Sequence, residues 1–275
     1  MLRIFLSFFL VVSSPVVAYA LEDVPPAVPP PVVQAQALPL TEPSVGAVSA
    51  ATTQTQPEEV ISASPHVRGY YVLELFSTQA CTFCPKADGF MKAYADYPHV
   101  IALSCHVDYF DVKEASFSRP ECTARQKSYE KTLNVGPKFT PQMVVNGDQN
   151  AIGYSPASIQ VAFNNVRKHS IPPFEIERIG KTVYRANLPD IAEGAYDIWA
   201  FLYDKPKTQV VRDGGNAGKR MTYYNVVSKA KFLGDWQGAS KQITFETKVG
   251  ENTKGIAILV QRKEDNTVVL ASKAE

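Results

Sequence analysis

The sequence predicts an α/β domain followed by an antiparallel β domain. Three observations carry this. An apolar run, Tyr70 to Phe76, leads through a polar loop into a helical apolar face and then into a second apolar run, Val100 to Val107. A strong hairpin signal, Asn146-Gly147, separates two short strand-like runs further on. Beyond Pro172-Pro173 only strand-like runs recur, and no helical period stands out.

The elements follow in order. Tyr70 to Phe76 reads as a strand with one acid, Glu74, inside it. After Cys81, apolar residues at Phe83, Ala87, Phe90, Met91 and Tyr94 define one helix face, which Pro98 closes off. Val100 to Val107 is apolar enough for a parallel strand buried on both faces. Ser118-Arg119-Pro120-Glu121 has the form of a capping box, and the helix after it puts Cys122, Gln126, Tyr129 and Leu133 on one side. Gln142 to Val145 and Ala151 to Tyr154 are the arms of the hairpin, and Ser155-Pro156 opens a last helix. A helix between the first two strands implies parallel pairing with a right-handed crossover. The resulting order, βαβαββα, is the thioredoxin-like order. The later runs, from Phe174 to Ser272, predict a small antiparallel, sandwich-like β domain.

The 275 residues are not all folded domain. Arg3, the apolar core Ile4 to Val12, the break at Ser13-Ser14-Pro15 and the small-x-small site Ala18-Tyr19-Ala20 predict a signal peptide over 1–20. That apolar core is shorter than the roughly 20 residues a spanning helix needs, so no stable membrane span is expected after cleavage. Residues 21–67 are rich in proline and hold no Phe, Trp or Tyr, which predicts a disordered linker. Residues 68–171 then form the α/β domain and 172–275 the β domain. A net charge of +1, with charges scattered along the chain, argues against a nucleic-acid partner.

Four cysteines remain to be explained: Cys81, Cys84, Cys105 and Cys122. Cys81-x-x-Cys84 stands where a strand ends and a helix begins. Helix N-terminal amides stabilise a thiolate on the first sulfur, and the second lies one turn on. Cys81 then attacks and Cys84 resolves, through a mixed disulfide. The competing readings are an inert bridge and half of a zinc site, but the chain has no second Cys-x-x-Cys. Cys105 ends the buried strand and Cys122 begins the next helix. An oxidising compartment favours a structural disulfide between them over two buried thiols.

Other candidates surround this pair. Thr140-Pro141 stands where this fold order puts a cis-proline facing the cysteines; the alternative is an ordinary trans proline starting an edge strand. Thr140, Pro141 and Phe83 are the candidate substrate contacts. Glu74 is either a buried acid exchanging protons with Cys84 or a structural carboxylate. His106 and Asp108, at the exit of the second strand, share a face by alternation and are candidates for the site's rim. The plainer reading of the two is a His–Asp hydrogen bond that fixes the loop.

The run Leu73-Glu74-Leu75-Phe76-Ser77-Thr78-Gln79-Ala80-Cys81-Thr82-Phe83-Cys84-Pro85-Lys86-Ala87-Asp88 resembles the opening signature of a family of secreted, thioredoxin-like proteins of proteobacteria, catalogued as a domain of unknown function. The resemblance continues through Ile101 to Tyr109, Thr123 to Gln126, Thr140 to Gly147, Asn216-Ala217-Gly218 and Asn225-Val226-Val227. It implies the fold and the cysteine pair, and no assigned reaction. The family usually has Trp where Phe110 stands and a longer loop where Val112 to Ser116 stand. Cys105 and Cys122 fall where it often has other residues, which suggests an added local bridge.

The expectation is therefore a periplasmic or secreted thiol–disulfide oxidoreductase that needs no cofactor or metal. Its partners would be exported protein thiols or a redox protein. The alternative is a non-enzymatic binding or copper- or zinc-handling protein on the same scaffold.

Overall fold

The computed structural model describes residues 69–110 and 117–275. The expected signal peptide and the whole of the linker, with Asp111 and the variable segment Val112 to Ser116, lie outside the described residues.

The first part runs β1 (Tyr71–Ser77), α1 (Cys84–Ala95), β2 (Val100–His106), α2 (Pro120–Thr132), β3 (Gln142–Val145), β4 (Gln149–Ile152) and α3 (Pro156–Val166). Its sheet has the order β2-β1-β3-β4. β1 pairs in parallel with β2 and antiparallel with β3. Alternation along β1 divides its side chains between two cores. Leu73 and Leu75 pack with Ala87 and Met91 of α1 and with Ile159 and Ala162 of α3. Val72 and Phe76 face the other way, towards Tyr129 of α2.

Strands only follow, apart from one short turn: β5 (Glu175–Arg178), β6 (Val183–Leu188), β7 (Tyr196–Asp204), β8 (Lys207–Val210), a 3-10 turn (Gly214–Asn216), β9 (Arg220–Tyr223), β10 (Val227–Trp236), β11 (Lys241–Glu246), β12 (Thr253–Arg262) and β13 (Val268–Ala274). Two sheets, β10-β7-β12-β13 and β11-β6-β5, enclose a core of Tyr184, Leu188, Ile198, Leu202, Ile258 and Val260. The opposite face of β7 and β12, carrying Phe201, Tyr203, Ala257 and Leu259, packs on Val72, Phe76 and Leu103 of the first sheet.

This corrects the expected fold class. The described chain is mostly β, with thirteen strands and three α-helices. It is not an α/β thioredoxin-like domain with a small β-sandwich appended. The expectation rested on the periodicity of residues 68–171 alone. What periodicity cannot show is that a second sheet shares the core on one side of the first, where an α/β fold would place helices.

Several local expectations also shift. Ser118 does not cap α2: Arg119 holds the cap position without a side-chain bond, and the Ser118 hydroxyl donates to the Val107 carbonyl at 2.9 Å. In the hairpin, Asn146 and Gly147 both have positive φ, but Val145 pairs with Gln149, so three residues turn the chain and the return strand starts earlier than expected. The sequence reading left out β10. It is an edge strand with register shifts at Val227/Lys229 and Phe232/Gly234, so its apolar residues do not alternate.

Candidate active site

Cys84 is the first residue of α1, and Cys81 lies three residues before it in the loop from β1. Both thiols are free; Cys81 keeps 6% of its surface exposed and Cys84 none. The Cys84 amide donates to the Cys81 carbonyl at 3.2 Å, which closes the turn and aims the start of the helix at the first sulfur. The Cys84 thiol's hydrogen bond to Cys81 is the main reason that Cys81 is held down to about 6, against the effect of burial. Thr140 and the amides of Phe83 and Cys84 add to the same stabilisation. Burial, the bond to Cys81 and the charge of Asp88 together push the Cys84 thiol far above the ordinary range. The two sulfurs are thus driven apart, one towards thiolate and the other towards thiol.

The Thr140–Pro141 peptide is cis and lies against Cys81. The Cys81 thiol donates to the Thr140 carbonyl at 3.6 Å. The Thr140 hydroxyl has no hydrogen-bond partner among the described residues, so it can donate to the thiolate once that proton has left. Gly153 holds this loop from β4: its amide donates to the Pro141 carbonyl at 2.9 Å. A Cβ on Gly153 would stand 3.0 Å from that carbonyl, so a larger residue would have to push the Pro141 loop back by a few tenths of an ångström. Phe83 sits at the cap position rather than on the buried helix face. It is 61% exposed and stacks on Tyr154, with ring centroids 5.4 Å apart.

Glu74 is not brought to the cysteines. It points to the face that α2 covers, where its carboxylate pairs with the Arg125 guanidinium and accepts from the Tyr129 hydroxyl at 2.6 Å. Gln261 of β12 completes the cluster, accepting from Arg125 and donating to Tyr129. Arg125 also lies 4.7 Å from the centre of the Phe201 ring. Of the alternatives for Glu74, this geometry is the structural one: a buried ion pair joining β1, α2 and β12.

The acid beside Cys84 is Asp88, one helical turn further along α1. It is buried, neither oxygen has a hydrogen bond among the described residues, and burial pushes its carboxyl up to about 8. The Ser77 hydroxyl eases both Asp88 and Cys84 downward, although neither contact reaches hydrogen-bond geometry. The sequence reading passed over Asp88. The signal was present: Cys84, Ala87, Asp88 and Met91 are all buried at helical spacing, and only one of the four is charged.

His106 and Asp108 do not act together. His106 pairs in register with Ser77 and is fully buried, packed edge-on against Phe117 and Tyr223. Neither ring nitrogen is hydrogen-bonded among the described residues, and burial, with the Arg119 charge, holds its pKa down to about 3. Asp108 is exposed and accepts from the Thr123 hydroxyl at 2.5 Å. The strand ends at His106, so alternation no longer relates the two. Cys105 and Cys122 form a disulfide, with Cα atoms 5.3 Å apart, joining the end of β2 to the first turn of α2.

Fold and site together define a mostly β protein that carries an open Cys-x-x-Cys pair at a helix N-terminus. The chain belongs to the family described as "Protein of unknown function (DUF1223)", which matches residues 72–261. It is similar to the crystal structure of a protein from Agrobacterium tumefaciens, at 24% identity and a TM-score of 0.63, over 74% of this chain and 92% of that one. It is also similar to HBP35 of Porphyromonas gingivalis, at 15% identity and a TM-score of 0.52, over 75% of this chain and 74% of that one. At these identities the likeness is one of fold. No curated protein matches the sequence.

Proposed function

We propose that this chain is an exported thiol–disulfide oxidoreductase acting through Cys81 and Cys84. The observation that supports it best is the opposite displacement of the two thiols within one turn of chain, Cys81 to about 6 and Cys84 upward. An inert bridge needs no such asymmetry. The Cys81 thiolate attacks a sulfur of the substrate disulfide, forming a mixed disulfide and releasing one substrate sulfur as a thiolate. Cys84 then gives its proton to Asp88 in its ionised form, about a tenth of the molecules at pH 7, and attacks the Cys81 sulfur. The Cys81–Cys84 disulfide forms and the second substrate sulfur leaves. Two electrons pass from the protein dithiol to the substrate disulfide, and the same steps reversed oxidise a substrate dithiol.

Asp88 suits the proton transfer because its displaced acidity brings it near neutral pH. Thr140, with the backbone at the cis-proline, and the exposed Phe83 face the approach to Cys81 and would contact the substrate. The Cys105–Cys122 disulfide supports an oxidising location, periplasmic or secreted, and hence exported protein thiols or a redox protein as partners. Among the described residues no helix is long and apolar enough to cross a membrane. Metal handling is favoured by no arrangement of three or more ligands among those residues.

The test is Cys84→Ser, which removes the resolving sulfur. The variant should accumulate mixed disulfides with exported proteins through Cys81, seen as reducible adducts on non-reducing gels and absent from Cys81→Ser/Cys84→Ser. A Cys84→Ser protein that forms no adducts would refute the proposal.

A further inference from the structure

The loop that carries Cys81 is held from a distant part of the chain. The 3-10 turn Gly214–Asn216, between β8 and β9, lies against it. The Asn216 amide nitrogen donates to the carbonyl of Gln79 at 3.0 Å and to that of Cys81 at 2.7 Å. The Gly215 amide donates to the carbonyl between them, Ala80, at 3.1 Å. Three consecutive carbonyls of the loop are thus taken up by two residues about 135 positions away. Gly215 must be glycine for this approach: a Cβ there would lie 2.5 Å from the Thr82 methyl and 3.0 Å from the Ala80 carbonyl. Asn216 is buried, and its own oxygen accepts from the Lys219 ammonium at 2.8 Å, which fixes which way the amide faces.

The arm that delivers this turn is itself tied to the first sheet. Asn225 accepts the Ser104 amide on its carbonyl at 2.9 Å and donates from its side chain to the Ala102 carbonyl at 3.0 Å. Val226 forms a bridge with Ser104. The contact is therefore a braced element reaching over the cysteine loop.

We infer that Asn216 is a positioning residue for the Cys81–Cys84 pair: it clamps the Cys81 carbonyl so that the amides of Phe83 and Cys84 stay aimed at the Cys81 sulfur. The inference rests on the proposed redox role of that pair. The Cys81 carbonyl is shared between the Asn216 side chain and the Cys84 amide. Losing the first bond frees the turn to rotate about the second. The amides then spend less time facing the thiolate, and the first sulfur becomes a poorer nucleophile at mild pH. On this account the C-terminal β region sets the chemistry of the cysteines without touching a substrate.

The experiment is a titration of the Cys81 thiolate, by iodoacetamide rate against pH, in the full chain and two variants. Wild type should show a midpoint near 6. Asn216→Ala should move the midpoint up by about one unit, slowing alkylation at pH 5–6 about tenfold. Lys219→Met changes an exposed residue and leaves the core untouched; it should move the midpoint the same way by a smaller step, about two- to threefold in rate. The dithiol–disulfide potential of both should become more reducing, because the reduced form loses thiolate stabilisation. A wild-type midpoint near 6 that neither variant moves overturns the inference. Should Asn216→Ala fail to fold, an unmoved midpoint in Lys219→Met overturns it alone. A wild-type midpoint above 8 would instead refute the reading of the cysteine pair, which separates the two failures.

Discussion

Replacing Asp88 by Asn should make the protein more stable and a worse catalyst at once. Asp88 is 2% exposed, its two oxygens have no hydrogen bond among the described residues, and its carboxyl is pushed from 3.8 up to about 8 by burial. The folded chain therefore keeps this proton in most molecules at pH 7, whereas the unfolded chain has released it. An acid raised in this way lowers stability progressively as pH climbs from about 4 to about 8. With each unit worth 1.36 kcal/mol, the three units between 3.8 and 7 amount to roughly 4 kcal/mol of destabilisation at pH 7. Asn has no charge to suppress, but its buried amide still lacks partners, at a cost of about 1–3 kcal/mol. The net gain at pH 7 is then about 1–3 kcal/mol, raising the melting temperature by roughly 2–10 °C for a chain of this size. At pH 4 the gain should vanish and turn slightly negative, because the folded Asp88 is protonated and the unfolded one nearly half so, which leaves only a few tenths of a kcal/mol of destabilisation to relieve. Urea melts of both proteins at pH 4, 5.5 and 7 measure this directly. Stopped-flow release of a mixed disulfide at Cys81 should meanwhile slow by roughly a hundredfold, the lower end for a lost general base. Parallel stability curves for the two proteins would refute the argument, since they would mean that Asp88 carries no displaced proton.

Two further substitutions separate structure from chemistry. Cys105→Ser/Cys122→Ser opens a loop closed over 17 residues and should cost about 3 kcal/mol, read as a lower denaturation midpoint, with disulfide exchange retained. If exchange is lost while stability holds, that pair is a second redox couple and not a staple. Glu74→Gln leaves Arg125 buried without its counter-charge and should cost about 3–5 kcal/mol, while the pH profile of exchange stays as in wild type. A shifted profile with unchanged stability would return Glu74 to proton transfer.

Where the chain forms regular elements with clean periods, the sequence was a good guide to their place. β1, α1, β2 and α3 lie within a residue or two of the expected positions, because apolar spacing at 2 or 3.6 residues reflects which side chains meet a core. The arrangement of those elements was less legible. Nothing in the spacing of Phe201, Tyr203, Ala257 and Leu259 says that their face meets β1 and not solvent. From Ile198 to Tyr203 β7 reads as apolar throughout because it is buried on both faces, and a run of that kind does not name its neighbours. The fold class went wrong at this step, from elements to layers.

The site shows the same division between what is local and what is not. Cys81-x-x-Cys84 and Thr140-Pro141 could be found because a motif and a turn are short-range features. Glu74 and Asp88 looked unequal in the sequence, the first conspicuous in an apolar strand and the second one charge in a helix. Their surroundings run the other way. A charged residue in a strand faces whichever element covers that side, and Glu74 meets an arginine, so its burial is compensated and its chemistry is quiet. Asp88 meets no cation among the described residues, and an uncompensated buried acid is displaced towards neutrality. The useful question about a buried acid is therefore whether an opposite charge is buried with it. For Glu74 the answer lies 51 residues away, and for the carbonyls of the Cys81 loop it lies about 135 residues away. Those separations are what one chain read without relatives does not reveal.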